Sequence, residues 1–169
     1  AIVWGSVPIG VFGLLFKHAI ETQVRSLELV AAMLVLFGAV LILVELFERK
    51  LTRTTELTLP KGVLMGLAQT LALVPGVSRS GATIAMGLLT GLERRAATRY
   101  AFLLAVPAVL ASGALEAFSI ADGPVAWGPT ILATATSFVI GLAVIAGLLN
   151  YLRRHTFIGF GIYRVVVGS

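Results

Sequence analysis

The sequence predicts an all-α fold, a polytopic membrane helix bundle that contains one re-entrant helical hairpin. Of the 169 residues, 58% are hydrophobic and 12% are charged, which is about half the charged fraction of a soluble domain. Long apolar runs alternate with short polar segments. Two shorter apolar pieces, 62–74 and 82–92, flank a stretch rich in glycine and hydroxyl groups. We therefore expect a single membrane domain over residues 1–169.

Charge and cysteine content narrow the function classes. The net charge is +5, but the basic residues lie at the ends of apolar runs, as they do in the loops of inserted proteins. We therefore expect no nucleic-acid partner. The sequence contains no cysteine, which excludes disulfide and thiolate chemistry.

The first apolar run, residues 1–16, is short for a membrane span. As a helix it would measure about 24 Å, against roughly 30 Å for the hydrocarbon core. It has no basic region of the kind that opens a signal peptide, and it does not begin with methionine. We expect residues upstream of Ala1 to complete this helix.

Three later runs are long enough to predict complete transmembrane helices. They cover residues 29–47, 100–118 and 129–150. The second contains Pro107, which a helix tolerates as a kink when its neighbours satisfy the freed carbonyl. We expect loops at the polar segments 17–28, 48–61, 93–99, 119–128 and 151–155. A short apolar tail, 156–168, contains Arg164.

Residues 62–92 predict a re-entrant hairpin more readily than two crossings. As helices, 62–74 and 82–92 would measure only about 20 Å and 17 Å. Pro75-Gly76 breaks the chain between them. A helix–turn–helix that enters and leaves by one face fits these lengths, since irregular backbone at membrane depth is tolerated where it is buried or faces water.

The distribution of lysine and arginine predicts the orientation. Segments 48–61, 93–99 and 151–155 carry four, three and two of these residues, whereas 17–28 and 119–128 carry two and none. The positive-inside rule places the first group in the cytoplasm.

The stretch PGVSRSGAT, residues 75–83, predicts an anion site. Pro75-Gly76 turns the chain, and the residues after it open a helix whose first amides are free and positively polarised. Arg79 adds a planar fork of donors that suits phosphate oxygens. A charge at membrane depth is costly unless it is paired, so Arg79 is a functional candidate.

Small and hydroxyl-bearing residues complete this pattern. Ser78, Ser80 and Thr83 supply hydroxyl donors, and Gly81 allows the backbone to approach a ligand. Such a set is typical of a multiply charged anion bound at a helix N-terminus. In the structural alternative, Arg79 caps carbonyls or pairs with a distant glutamate, and the serines join helices. The stretch is not a Walker A motif, because it lacks the required lysine.

Other polar residues lie in or beside the apolar runs. Gln69 lies in the hairpin at membrane depth, where structural hydrogen bonding is favoured over ligand contact. Glu45 precedes Arg49 by four residues, which predicts an interfacial ion pair. Glu116 lies closer to the opposite face, and neither glutamate is favoured as a site residue. Arg164 either snorkels to the interface or reaches inward.

The remaining candidates are better explained by structural roles. Neither His18 nor His155 has a carboxylate partner at a helical spacing that suggests catalysis, so we expect interface or loop positions. Trp4 and Trp127 are typical of interface anchors. A basic cluster predicts a cytoplasmic anchor and not a substrate patch; it contains Arg94, Arg95 and Arg99.

Residues 66–84, GLAQTLALVPGVSRSGATI, resemble the second signature of the undecaprenyl-diphosphatase family, the bacitracin-resistance membrane phosphatases. Segments 5–17, 100–107 and 157–164 resemble its flanking regions, so the resemblance covers essentially the whole chain. It implies hydrolysis of undecaprenyl diphosphate to the monophosphate carrier of cell-wall synthesis, in the bacterial inner membrane. It also implies an inverted repeat, with two re-entrant hairpins that meet near the midplane.

The resemblance implies roles for individual residues. Ser78, Arg79 and Thr83 fall on catalytic positions. Arg79 would hold the diphosphate and stabilise the charge that develops in the transition state, while the two hydroxyls would position phosphate oxygens. Substrate binding is expected of four further residues, Gly76, Ser80, Gly81 and Gln69.

The family's first signature, of the type E-G-x-T-E-F-L-P-x-S-S-x-G-H, is not found in these residues. It carries acidic residues linked to a divalent cation, Mg²⁺ or Ca²⁺, whose ligands would then lie outside this chain. Phosphoryl transfer also needs an activated nucleophile, so we expect half of a site here. The alternatives are a lipid-carrier or anion transporter that uses the same hairpin, and an inactive fragment. The expected partner is a polyprenyl diphosphate lipid, with a homodimer left open.

Overall fold

The computed structural model describes residues 1–15, 26–48, 54–120, 126–152 and 154–169, and these form seven α-helices. In chain order the helices are α1 (Ile2–Leu15), α2 (Leu27–Glu48), α3 (Leu59–Thr70), α4 (Arg79–Leu89), α5 (Arg94–Ile120), α6 (Trp127–Tyr151) and α7 (Ile158–Gly168), with a 3-10 helix (Leu71–Leu73) after α3. Within the described ranges, the only β pairing is an isolated bridge between Thr54 and Leu92. The predicted all-α class is therefore confirmed.

Three helices are long and apolar enough to cross a membrane. They are Leu27–Phe47, Arg94–Ala114 and Trp127–Tyr151, and they coincide with the three long apolar runs. α5 continues through Pro107, as expected. α1, α7 and the segment Leu59–Leu73 are shorter apolar helices.

α5 begins at Arg94, so the loop expected over 93–99 is wrong. The amide of Ala97 already donates to the Glu93 carbonyl at 2.8 Å. The helix starts early because one side of these charged turns is buried at helical spacing, a stripe formed by Ala97, Ala101 and Leu104. Arg95 and Arg99 are exposed on the other faces of the same turns, whereas Arg94 lies on the side of the buried stripe.

α3 also begins inside an expected loop, because it starts at Leu59 and the loop was expected over 48–61. Pro60 occupies its first turn, where the missing N–H would have no intrahelical partner anyway. α2 likewise starts at Leu27, within the segment expected to be polar loop. The predictions for His18 and Arg49 lie outside the described residues.

α3 and α4 form a helical hairpin whose two ends lie side by side. The Thr54 amide donates to the Gly91 carbonyl, and the Glu93 amide donates to the Thr54 carbonyl, both at 2.9 Å. The chain thus enters and leaves the hairpin at one end. The two helices have 12 and 11 residues, or about 18 Å and 16 Å. The re-entrant placement of this hairpin stays a prediction.

Glycines bring two pairs of helices into backbone contact. α1 crosses α3 where Gly5 meets Gly66, and a β-carbon on Gly66 would overlap the Gly5 carbonyl. α2 crosses α7 where Gly38 meets Gly161, and a β-carbon on either of these would lie 2.8 Å from the other's carbonyl oxygen. Such close approach is typical of helices that associate in lipid.

α4 lies in the centre of this arrangement, packed on α2, α3 and α5. The hydrophobic core surrounds it and includes Leu41, Met65, Leu88 and Leu104. α6 differs from the other long helices, because none of its residues is buried. Its apolar side chains, including Trp127, face outward.

Candidate anion-binding site

The turn that precedes α4 depends on Gly76. Gly76 has a φ of +90°, a left-handed conformation that glycine adopts without steric cost. A β-carbon at this position would also lie 2.5 Å from the carbonyl oxygen of Val30 on α2. The turn conformation and the contact with α2 therefore both require glycine here.

Ser78 caps the N-terminus of α4. Its Oγ accepts a hydrogen bond from the Gly81 amide at 3.1 Å, and the Oγ atoms of Ser78 and Ser80 lie 3.3 Å apart. The Ala82 amide donates to the Ser78 carbonyl at 2.9 Å, which begins the helical ladder. The amides of Arg79 and Ser80 precede that ladder, so they would meet an anion at this helix end.

Gly81 contacts the cap more closely than the sequence suggested. A β-carbon on Gly81 would lie 3.1 Å from the Ser78 Cβ and 3.2 Å from the Ser78 Oγ. The residue is buried, and its amide is bonded to Ser78. Gly81 therefore makes room for the capping side chain, while its role in substrate binding stays a prediction.

Arg79 and Thr83 lie one helical turn apart in different environments. Arg79 is exposed, whereas Thr83 is fully buried and its hydroxyl donates to the Arg79 carbonyl at 2.8 Å. Across the described ranges, Arg79 makes no ion pair with a carboxylate. The pairing with a distant glutamate that the sequence allowed is thus not found there, and the guanidinium can meet an anion.

Gln69, near the end of α3, is fully buried. Neither its Oε1 nor its Nε2 has a hydrogen-bond partner within the part of the chain that the structure describes. The structural hydrogen bonds favoured by the sequence analysis are therefore not found in that part. A buried amide without partners costs about 1–3 kcal/mol. The assignment of Gln69 to substrate binding stays a prediction.

Arg164 reaches inward from α7 to the turn. Its Nη2 donates to the Gly76 carbonyl at 2.5 Å. Of the two positions that the sequence left open for this side chain, the structure has the inward one. A lone arginine in an apolar tail was the signal for a functional position, but its partner could not be read from local spacing.

Glu45 has two partners that local spacing in the sequence did not indicate. It is fully buried, forms an ion pair with Arg94, and accepts a hydrogen bond from the Phe157 amide at 3.3 Å. Arg49, the expected partner, lies outside the described residues, so the interfacial pair of Glu45 with Arg49 stays a prediction. Arg94, expected to be part of a cytoplasmic anchor, is paired with this buried carboxylate. The pair links the first turn of α5 to the last turns of α2.

Two other titratable residues lie away from the motif. His155 stacks on Tyr151, with ring centroids 4.1 Å apart, and its Nδ1 lies 3.1 Å from the Tyr151 carbonyl oxygen. This is the loop position expected for it. Glu116 lies on an exposed part of α5.

The comparisons with known proteins agree with one another. A family model described as bacitracin resistance protein BacA matches residues 1–169. The chain is similar to an undecaprenyl-diphosphatase of Micrococcus luteus, with 49% identity over 173 residues, 99% of this chain and 62% of that protein. It is also similar to undecaprenyl-diphosphatase 2 of Agrobacterium fabrum, with 50% identity over 169 residues, 99% of this chain and 61% of that protein. The chain thus spans about three fifths of the length of these curated relatives.

Proposed function

The chain belongs to the bacitracin resistance protein BacA family, and we propose that the protein carrying it hydrolyses undecaprenyl diphosphate to undecaprenyl phosphate and inorganic phosphate. Relatives that share about half of its residues are named undecaprenyl-diphosphatases. Because the chain covers 62% of the first of them, the activity is proposed for the longer protein and not for these residues alone.

The observation that carries this proposal is the start of α4. Several hydrogen-bond donors converge there, namely the exposed guanidinium of Arg79, the amides of Arg79 and Ser80, and the paired hydroxyls of Ser78 and Ser80. Donors of this kind, placed at a helix N-terminus, are suited to phosphate oxygens. A lipid diphosphate is the multiply charged anion that an apolar helix bundle would meet.

Each residue of the motif has a distinct role in the proposed reaction. Arg79 would bind the non-bridging oxygens and stabilise the charge that develops on them as the terminal phosphate leaves. The hydroxyls of Ser78 and Ser80 would donate to the same oxygens once the hydrogen bond between them opens. Thr83 is a positioning residue, because its hydroxyl is bonded to the Arg79 carbonyl and fixes the first turn.

A divalent cation, Mg²⁺ or Ca²⁺, enters the proposal through the family resemblance alone. Among the residues that the structure describes, no three His, Asp or Glu side chains are grouped as a metal site, so these residues do not fit the ion by themselves. No step assigned here passes through it. The steps assigned to this chain are binding of the diphosphate and stabilisation of its charge.

The proposal includes a placement in the bacterial inner membrane. α2, α5 and α6 would cross it, and the α3–α4 hairpin would be re-entrant, as one half of an inverted repeat. The joined ends of the hairpin lie at the start of α5, because Glu93, whose amide donates to the Thr54 carbonyl, directly precedes the basic first turns of that helix. That end would therefore be cytoplasmic, and the motif turn would lie at membrane depth, in a site open to the outer face.

The test is phosphate release from undecaprenyl diphosphate by the full-length protein in detergent. Arg79→Ala is expected to lower kcat/KM by about a hundredfold or more, as the loss of a transition-state donor does. Arg99→Ala removes an exposed arginine outside the motif and should leave the kinetics unchanged. Normal kcat and KM in Arg79→Ala would overturn the role of Arg79. Movement of labelled lipid across vesicles without phosphate release would favour a transporter instead.

A further inference from the structure

Arg164 is the only charged residue of α7, a helix that is otherwise apolar. A charged side chain in such a helix is costly and needs a partner. The partner found is neutral, since Arg164 Nη2 donates to the Gly76 carbonyl. The Nε of the same guanidinium is buried and has no hydrogen-bond partner among the described residues. One donor and most of the positive charge are therefore left for something else.

The packing of α7 on α2 fixes where Arg164 lies. At the crossing of Gly38 and Gly161, a β-carbon on Gly38 would lie 3.1 Å from the Cβ of Arg164. The motif turn rests on the same helix, because Gly76 lies against Val30 of α2. α2 thus serves as a common support for the arginine and for the turn that it contacts.

Arg164 contacts the same short segment that carries Arg79. The carbonyl of Gly76 accepts the hydrogen bond from Arg164. Arg79 follows Gly76 by three residues, so the Cα atoms of Gly76 and Arg79 are at most about 10 Å apart. A diphosphate carries more negative charge than one arginine neutralises, and its two phosphates can engage two cations. A neutral donor would have been enough to bond a carbonyl.

We infer that Arg164 is a second cationic group of the diphosphate site, which anchors the turn through Gly76 and donates its Nε–H to a phosphate oxygen. This inference rests on the proposed function, and it concerns which residue recognises each of the two phosphates. Arg79, at the helix N-terminus, binds one phosphate. Arg164 binds the other, and so distinguishes a diphosphate from a monophosphate.

The experiment measures binding of farnesyl diphosphate and of farnesyl monophosphate to the full-length protein in detergent. Arg164→Lys and Arg164→Met are expected to weaken diphosphate binding by about tenfold or more, as the loss of a charge-assisted hydrogen bond does. Monophosphate binding should change by less than about threefold. If Arg164 only held the turn, affinity for both probes would fall by the same factor, and that result would overturn the inference.

Gly38→Ala tests the same contact without touching the arginine. The added methyl group would push α7 away from α2 and should reproduce the selective loss of diphosphate binding. Gly159→Ala is the matched control on α7, because a β-carbon there meets nothing within 4 Å. Thermal unfolding of each variant in detergent identifies any that fail to fold. If Arg164→Met fails to fold, Arg164→Lys and Gly38→Ala decide the question.

The outcomes separate this inference from the proposed function. A wild-type protein that hydrolyses undecaprenyl diphosphate, with Arg164 variants that bind both probes normally, overturns the inference alone. A wild-type protein that neither binds farnesyl diphosphate nor releases phosphate overturns both. A selective loss of diphosphate binding in the variants supports both.

Discussion

Two buried contacts made by arginines, one near each end of α4, differ in the charge of the partner. Beyond the C-terminus of α4, Arg94 pairs with the buried carboxylate of Glu45, which also accepts a hydrogen bond from the Phe157 amide. Before the N-terminus of α4, Arg164 donates a hydrogen bond to the uncharged carbonyl of Gly76. The charge of Arg94 is neutralised inside the protein, and the contacts of Glu45 with Arg94 and Phe157 join three segments of the chain. Among the described residues Arg164 has no carboxylate partner, as expected of an arginine whose counter-charge arrives with a ligand.

The largest effect is expected where the neutralised pair is broken. Glu45→Ala leaves Arg94 without its carboxylate and the Phe157 amide without its acceptor, and should lower the free energy of unfolding by about 3–5 kcal/mol. Chemical or thermal unfolding in detergent measures the change. The double variant Glu45→Leu with Arg94→Leu removes both charges and should recover much of the loss. A Glu45→Ala protein as stable as the wild type would show that this pair is not structural.

An intermediate effect is expected at the turn that Arg164 contacts. Gly76→Ala forces a side chain into a left-handed conformation and against the Val30 carbonyl, and should cost about 2–3 kcal/mol of stability. Diphosphate binding should weaken with it, since the turn carries the motif. Gly147→Ala is the control, because it fills open space near the C-terminal end of α6 and should stabilise its helix by up to about 1 kcal/mol. Equal stability of the two variants would contradict the strained turn.

The smallest effect is expected at the cap of α4. Ser78→Ala removes the acceptor of the Gly81 amide and should cost about 1 kcal/mol of stability. It also removes a proposed phosphate donor, so kcat/KM should fall by about tenfold. Ser112→Ala serves as the control, because the exposed Ser112 hydroxyl bonds only the Val109 carbonyl of its own helix at 3.1 Å. A loss of stability without a loss of activity would limit Ser78 to capping.

Features that depend on neighbours in the sequence were predictable. The three long helices follow from the lengths of the apolar runs, and the break between α3 and α4 follows from Pro75-Gly76. The N-terminus of α4 within PGVSRSGAT was also expected, since turn residues and hydroxyl caps act within a few positions of one another. The predicted helix starts were less accurate, because the charged residues at 94–99 indicated a loop although a buried stripe of the helix begins at Ala97.

Contacts between distant residues were not predictable from spacing. Local spacing pairs Glu45 with Arg49, which lies outside the described residues. It does not indicate the two partners that the structure describes, Arg94 and Phe157, the latter 112 residues away. Arg164 lies 88 residues from Gly76, and nothing in the sequence of the tail indicates that turn. A single sequence indicates that a charge in an apolar helix needs a partner, but only the packing of α2, α4 and α7 identifies it.

The hydrogen bonds that join Thr54 to Gly91 and Glu93 have a consequence for the order of folding. They close the hairpin between residues near in the chain, whereas the bond from Arg164 to Gly76 spans 88 residues. Closing a short loop costs less chain entropy than closing a long one. During synthesis the hairpin can therefore assemble first, and its motif turn gains the anchoring arginine only when α7 arrives. Maturation of the site would thus be tied to the synthesis of α7.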